Sequence, residues 1–329
     1  MARLGLVRLI LVGSLLVPSM ALAGDHRADL LLERMIKAVE NLSYEGTFVY
    51  IHGQKTETMQ IVHTRDEQRG QRERLISLTG EPREIIRDDN ILTCIWPASR
   101  SVVIEPRRSR LGGLPAAIPD RGFGPDSPYA FRLEDEQRIA GLPCRTVQIE
   151  PRDDLRYGHR LCINEESGML LKSEMLDDEG RVIEQFMFTS IHFPSTVADD
   201  KFTPVMKGEG FSTYRVDIQP NHSELPPDPG WKVKEIPNGF HLASVTKRPM
   251  AANQNPVQHI VLSDGLATVS VFISLAASLD DLYVGTTRSG ALHAMAVPSG
   301  DYQVTVVGEV PEATVRMIAD SVMHEGNAQ

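Results

Sequence analysis

Acid–base chemistry in this sequence would have to come from ten scattered histidines or from five adjacent pairs of aspartates. Paired carboxylates can act as acid and base when burial separates their pKa values. Four of the five pairs, however, fall where hairpin turns or linkers are expected, and aspartate is a common turn residue. We therefore interpret these pairs as turn residues. They occupy positions 88–89, 153–154, 177–178, 199–200 and 280–281.

Known catalytic and cofactor-binding motifs are missing from the sequence. No two histidines are four residues apart, and there is no GxSxG, HExxH, Walker A or GxGxxG pattern. None of the aspartate pairs supplies the series of oxygen ligands that a calcium loop needs. We predict no catalytic residue, no cofactor and no metal site, and we expect the chain to act by binding partners.

The first 23 residues predict a secretory signal peptide. Arg3 and Arg8 form a short basic region, Leu9–Val17 is apolar but too short to span a bilayer, and Ala21–Ala23 fits the small-x-small cleavage rule. The mature chain is expected to begin at Gly24, with no lipid anchor and no further membrane span. Cleavage of the signal peptide would remove two arginines and change the net charge from −10 to −12. A chain with this negative charge repels nucleic acid, which argues against a nucleic-acid partner.

The three cysteines are expected to form one disulfide and to leave one free thiol, since the chain is exported to an oxidising compartment. Cys144 and Cys162 lie symmetrically about Asp153, the middle of a predicted hairpin, so they could face each other across it. Pairing of Cys94 with Cys144 is the alternative, and three buried thiols also fit the sequence. No pair has the CxxC spacing of a zinc site.

A helix followed by a large curled sheet is predicted for the first half of the mature chain. Residues 27–41 have apolar side chains at helical spacing, and from Tyr44 the period changes to two. About ten strands in succession tend to curl or close. The helix and the Gly- and Pro-rich stretch 106–128 could cover the concave face. The strands are expected at 48–51, 58–63, 72–78, 83–87, 90–96, 101–105, 132–139, 144–150, 158–163, 169–176 and 181–192.

A proline-rich stretch, 196–230, is predicted to link domains that span 24–195 and 231–329. The second domain should contain a small antiparallel sheet and a final helix that begins after Pro311. An apolar stripe on that helix is expected to pack on the sheet. The fold class expected is therefore α+β, and the strands of the second domain are expected at 240–245, 257–262, 266–275, 291–297 and 301–309.

Ten short segments, taken in order, resemble the MucB/RseB family. Each segment is a weak signal alone, but together they run from the first strand to the start of the final helix. In the first domain these segments are Gly46–Tyr50, Arg72–Leu75, Gly80–Arg87, Pro151–Gly158, Leu171–Ser173 and Glu184–Phe186. In the second domain they are Trp231, Pro237–Phe240, Ser263–Leu266 and Val306–Pro311.

This resemblance implies both a fold and a function. The N-terminal domain would be a half-open antiparallel β-barrel similar to LolA and LolB, with helices in its mouth, and the C-terminal domain would be smaller. The protein would act in the periplasm as a negative regulator of sigma-factor activity. It would bind the periplasmic segment of a transmembrane RseA/MucA-like anti-sigma factor and shield it from regulated proteolysis. A lipid-like signal of envelope stress would release that segment.

The anti-sigma segment is expected to lie across the domain junction, with the proline-rich connection as a movable joint. The alternative is that the candidate residues only form turns and cap strands. Lipid or lipopolysaccharide is a possible second partner, and the sequence leaves a homodimer open. A LolA-type lipid or lipoprotein carrier is the alternative function, although such a carrier needs no second domain. The candidate partner-binding residues are Arg156, Tyr157, Gly158, Ser263, Asp264, Gly265 and Leu266.

Overall fold

The computed structural model describes residues 21–66, 68–88, 91–106, 114, 127–215, 230–249, 256–276, 278 and 282–324. The predicted signal peptide, 1–23, lies outside the described residues except for its last three positions. Most of the stretch 106–128 and the second half of the predicted linker, 216–229, also lie outside them.

Twelve strands of the N-terminal half form one sheet, in the order β12-β6-β5-β4-β3-β2-β1-β11-β10-β9-β8-β7. All neighbours are antiparallel except β12, which pairs parallel with β6. The edge strands β12 and β7 do not pair with each other among the described residues, which confirms the half-open architecture. The strands are β1 (Tyr44–His52), β2 (Lys55–Asp66), β3 (Gly70–Ser77), β4 (Glu84–Asp88), β5 (Ile91–Trp96), β6 (Ser101–Pro106), β7 (Tyr129–Ile139), β8 (Leu142–Pro151), β9 (Gly158–Ile163), β10 (Leu170–Leu176), β11 (Val182–His192) and β12 (Ser212–Arg215).

Helix α1 (Ala21–Asn41) covers one face of this sheet and contacts β2, β7 and β10. It begins six residues before the predicted start at 27. Its residues Ala28, Leu32, Met35 and Val39 recur at helical spacing and are buried. They share a core with the aromatic rings of the central strands β1 and β11, where burial alternates along β11 as expected for a strand with one covered face. The core therefore sits between α1 and the middle of the sheet.

The structure joins Cys144 on β8 to Cys162 on the neighbouring strand β9. Their Cα atoms are 5.4 Å apart and they are 18 positions apart in the chain. Cys94, on β5, is a free and partly buried thiol. The pairing is thus the one across the predicted hairpin, and the pairing of Cys94 with Cys144 is not formed.

Removing this disulfide is expected to destabilise the N-terminal domain substantially. Closing a loop of this length restricts the unfolded chain and stabilises the fold by about 3 kcal/mol. The double substitution Cys144→Ala and Cys162→Ala should lower the free energy of unfolding by that amount in urea denaturation. Cys94→Ala is the control and should change it by less than about 1 kcal/mol. Equal losses in the two proteins would contradict this prediction.

The chain after β11 remains attached to the N-terminal sheet, although 196–230 is predicted as a linker. A short 3-10 helix, Asp199–Phe202, lies on β3, where the Arg74 guanidinium donates to the Lys201 carbonyl at 2.8 Å. Strand β12 then joins the sheet edge. The N-terminal sheet thus extends to Arg215, beyond the predicted boundary at 195. A movable joint would have to lie after that residue, and this remains a prediction.

The C-terminal half forms a six-stranded antiparallel sheet, in the order β14-β15-β16-β19-β18-β17, and a two-stranded sheet of β13 and β20. Helix α2 (Glu312–Ser321) packs on β18 and β19 through Val315, Ile318 and Ala319 of the predicted stripe. Val322, the fourth residue predicted for the stripe, lies after the helix and begins β20. The strands are β13 (Trp231–Val233), β14 (His241–Pro249), β15 (Pro256–Ser263), β16 (Thr268–Leu275), β17 (Gly285–Ser289), β18 (Leu292–Ser299), β19 (Tyr302–Gly308) and β20 (Val322–His324). The predicted fold class is confirmed, with three additional short strands: β13, β17 and β20.

Candidate functional site at the domain junction

Two of the predicted site residues meet across the junction between the domains. The Arg156 guanidinium donates through Nη1 to Asp264 Oδ2 at 2.6 Å, and both side chains are fully buried. Through Nη2 it also donates to the Asn238 carbonyl at 2.7 Å. The Tyr129 hydroxyl donates to the same Asp264 oxygen at 2.9 Å. A charged pair that is buried and hydrogen-bonded in this way is costly to separate.

Local turns position both members of this pair. Arg156 follows β8 in a turn where Asp153 accepts hydrogen bonds from its Nε and Nη2 at 2.9 and 3.0 Å. Asp264 lies in the β15–β16 turn, and its Oδ1 accepts the backbone N–H groups of Leu266 and Ala267 at 2.9 and 2.7 Å. Aspartate suits this position because its short side chain bonds to nearby backbone. Oδ1 of Asp264 therefore stabilises the β15–β16 turn, while Oδ2 binds Arg156 and Tyr129 of the N-terminal domain.

The surroundings of Arg156 favour its charged form. Burial opposes the charge on Arg156, but the hydrogen bonds that Arg156 donates to Asp153 and the negative charge of Asp264 raise the pKa of Arg156 above its usual range. Burial, and then the charge of Asp264, raise the pKa of Tyr129. Tyr129 therefore stays protonated and remains a hydrogen-bond donor to Asp264 at any pH near neutrality.

The other predicted residues also lie at the junction. The Tyr157 hydroxyl is 3.3 Å from Nδ1 of His293 in the C-terminal domain. Gly158 begins β9, and Leu266 packs against the N-terminal core. Ser263 and Gly265 complete the β15–β16 turn through a 3.0 Å hydrogen bond from the Gly265 N–H to the Ser263 hydroxyl. Arg156, Tyr157, Asp264 and Leu266 thus contact the opposite domain, while Gly158, Ser263 and Gly265 lie beside them in the chain. Direct contact of these seven residues with a partner stays a prediction.

A second contact joins the tips of two hairpins, and the sequence reasoning missed it. Glu184 on β11 accepts hydrogen bonds from the Tyr50 hydroxyl at 2.9 Å and from the backbone N–H of Ala291 at 3.3 Å, and its Oε1 lies 2.5 Å from His52 Nδ1. The His52 ring packs so closely on Gly290 that a Cβ there would lie 2.4 Å from a ring carbon. Glu184 lies in one of the segments that resemble the MucB/RseB family, Glu184–Phe186. The periodicity of the sequence, however, carries no information about its contact with Ala291 in the other domain.

Two cavities flank the buried pair. We name the first the glutamate cavity. Its volume is about 640 Å³, and residues of both domains line it, including Glu184 of the N-terminal domain and Glu309 of the C-terminal domain. The full described lining is Tyr50, Leu114, Tyr157, His159, Met175, Glu184, Leu266, Ala267, Thr268, Ser270, Phe272, Leu292, Val307 and Glu309.

We name the second cavity the acidic cleft. Its volume is about 620 Å³, and Arg156, Tyr157 and Gly158 contribute to its wall. Its described lining includes six carboxylates and three arginines, so its net charge is negative. Two of the arginines, Arg156 and Arg181, are already paired with aspartates. The carboxylates are those of Glu150, Asp153, Asp154, Asp177, Asp178 and Glu312.

Two family models match the chain, and together they cover most of it. The MucB/RseB N-terminal domain matches residues 27–206, and the MucB/RseB C-terminal domain matches residues 226–323. The chain belongs to the MucB/RseB family. The resemblance found in the short sequence segments is confirmed, and so is the role that it implied at the level of the family: a periplasmic sigma-factor regulatory protein.

Relatives in several bacteria are similar over nearly their full length. The Pseudomonas aeruginosa protein, "Sigma factor AlgU regulatory protein MucB", is 31% identical over 98% of both chains. The Haemophilus influenzae protein, "Sigma-E factor regulatory protein RseB", is 28% identical over 94% of this chain and 95% of the relative. The Escherichia coli RseB protein is 26% identical over 95% of both.

Solved structures of MucB show the same fold. The structure of the Pseudomonas aeruginosa MucA/MucB complex has a TM-score of 0.69 at 28% identity, covering 91% of this chain and 99% of the other. MucB in complex with MucA(peri) has a TM-score of 0.68 with the same coverage. Within the described ranges, neither helix combines the length and apolar character that a membrane crossing requires.

Proposed function

We propose that this protein binds the periplasmic segment of a transmembrane anti-sigma factor and shields that segment from regulated proteolysis. The observation that carries the proposal is its similarity, over 91% of the chain, to MucB in a solved complex with MucA. We further propose that the protein acts by binding alone, without a catalytic reaction of its own. The junction between the two domains is the site that we assign to the partner.

The charge of the junction supports this assignment. The acidic cleft lies beside the buried Arg156–Asp264 pair and is bordered by both domains. An excess of carboxylates suits a polypeptide segment that carries basic residues, because complementary charge speeds encounter and fixes the register of the complex. Because the buried pair fixes the two domains relative to each other, the cleft is preorganised for such a segment.

Release by a lipid-like signal follows from linkage. If a lipid and the anti-sigma segment favour different arrangements of the two domains, each lowers the affinity of the other by the same coupling free energy. The junction is the element on which both would act. We expect lipid to weaken segment binding without competing for the same surface.

A protection assay tests the proposed function. The mature protein is mixed with the periplasmic segment of the anti-sigma factor encoded in the same genome, and cleavage by the site-1 protease is followed with and without lipid. We expect saturable protection that lipid reverses. Lipid retained by the protein, without any binding of the segment, would instead indicate a carrier of the LolA type.

A further inference from the structure

The glutamate cavity has an unusual combination of walls. Apolar side chains, among them Leu266, Phe272 and Val307, form much of its surface, while two carboxylates face it from opposite domains. Among the described lining residues there is no lysine and no arginine. The cavity therefore holds two carboxylates in a wall of mixed polar and apolar side chains, and no lysine or arginine of the described lining balances their charge.

The two carboxylates are not equivalent. Glu184 has three hydrogen-bond partners, as described above, but the Glu309 carboxylate has no hydrogen bond or ion pair with any described residue. Glu309 is an exposed residue, but partial burial of its carboxylate by neighbouring atoms, and then the charge of Glu184, raise its pKa, while His52 lowers it. Glu309 is thus a carboxylate that lacks a partner and lies near a second negative charge.

His159 gives an independent indication of a ligand. It lines the cavity with only 4% of its surface exposed, and its Nδ1 has no hydrogen-bond partner. Burial lowers the pKa of His159 to about 4, so the ring is neutral near pH 7. Buried polar atoms without a partner are uncommon in folded proteins. A neutral imidazole, two carboxylates and nearby hydroxyls all offer acceptors, which suits a ligand that donates hydrogen bonds.

We propose that the glutamate cavity receives the side chain of a lysine or arginine from the bound polypeptide partner, with its charged end at Glu309 and its aliphatic stem along Leu266 and Phe272. This inference rests on the proposed function and assigns a specific contact to it. Long basic side chains commonly bury their stem on apolar surface while the charged end meets an acceptor.

Charge excludes the other simple occupants. A neutral acyl chain would desolvate Glu309, which has no partner among the described residues, without offering it a hydrogen-bond donor, and burying an unpaired carboxylate is unfavourable. An anionic head group would meet two like charges. A cationic group on an apolar stem matches both the Glu309 carboxylate and the apolar wall.

Three small probes of equal chain length test the cavity directly. The mature protein is titrated with hexylammonium, 1-hexanol and hexanoate, and binding is followed by NMR chemical shifts. We expect hexylammonium to bind at least about tenfold more tightly than the other two, as for one charge-assisted hydrogen bond. Glu309→Gln should remove this preference, whereas Glu235→Gln, at an exposed position of the same domain, should keep it. Equal binding of the three probes, or an unchanged preference in Glu309→Gln, would overturn the proposal.

A second experiment tests the contact with the partner. It uses the periplasmic anti-sigma segment, with each basic residue of the segment replaced in turn by methionine. One replacement should weaken binding to the wild type by about tenfold but leave binding to Glu309→Gln nearly unchanged. Loss of binding with no such coupling at any position would overturn the contact. If the wild type does not bind the segment at all, the proposed function fails, while the small-probe titration still decides what the cavity holds.

The affinity for the cation should depend on pH with a definite sign. A bound cation favours ionised Glu309, so affinity rises as the pH increases through the raised pKa of Glu309 and then levels off. This rise should be absent in Glu309→Gln and retained in His52→Gln. A rise that persists in Glu309→Gln would contradict the role of Glu309. The titratable groups that face Glu309 from the packed elements are Tyr50, His52, Tyr157, His159 and Glu184.

Discussion

Asp264→Asn is expected to weaken the contact between the two domains by about 3 kcal/mol. This is the lower end of the range for breaking a buried ion pair. The substitution removes the charge that faces Arg156 but keeps an oxygen for the turn bonds to Leu266 and Ala267. The new amide group would face two donors, from Arg156 and Tyr129. Asp153 still compensates part of the arginine charge, which is why we expect the lower value.

The two tryptophans allow this prediction to be measured domain by domain. Trp96 lies on β5 of the N-terminal sheet and Trp231 on β13 of the C-terminal half. Urea unfolding is followed by fluorescence in Trp96→Phe and Trp231→Phe backgrounds, with Asp320→Asn on the exposed face of α2 as the control. Asp264→Asn should separate the transitions of the two domains. A result that matches the control within about 0.5 kcal/mol would contradict the role of the pair.

Glu84→Gln should have a comparable effect within the N-terminal domain. The Glu84 side chain is fully buried; it accepts a hydrogen bond from Arg74 Nε at 2.5 Å and from the backbone N–H groups of Val205 and Met206 at 3.0 and 2.8 Å. Neutralising it leaves Arg74 buried without its counter-charge, at an expected cost of about 3–5 kcal/mol. The segment that follows the 3-10 helix would lose its anchor to β4.

Hydrogen exchange combined with urea unfolding measures this second effect. Glu84→Gln should lower the free energy of unfolding of the N-terminal domain and speed exchange at residues 201–206. The matched control is Glu57→Gln, which breaks a half-buried ion pair with Arg83 and should cost about 1 kcal/mol or less. Similar losses in both variants would mean that Glu84 behaves as a surface charge.

The regular elements could be predicted from the sequence because their information is local. Alternation of side chains and Gly, Pro and Asp turns located the main strands on both sides of the junction. The apolar stripe of α2 also indicated the face that it buries. Strand β12 has no such signal, since all four of its residues are exposed and its pairing with β6 is parallel. Its proline-rich surroundings favoured a linker instead.

The site was only partly accessible from the sequence because its contacts join residues that are distant in the chain. Arg156 and Asp264 stood out as parts of family-like segments, yet their pairing spans 108 positions and follows no period. Glu309 also lay in such a segment, Val306–Pro311, but nothing local marked it as facing Glu184. Geometry at a domain junction depends on how two separately patterned sheets dock, and sequence periodicity carries no information about that step.

The measurement that tests the central claim most directly is hydrogen–deuterium exchange of the full mature protein, free and saturated with the periplasmic anti-sigma segment. We predict that the segment slows exchange at the junction, in residues 153–158, 263–268 and 288–293, which border the acidic cleft and the glutamate cavity. Slowed exchange confined to strands away from these residues, with the junction unchanged, would contradict the assignment of the junction as the binding site.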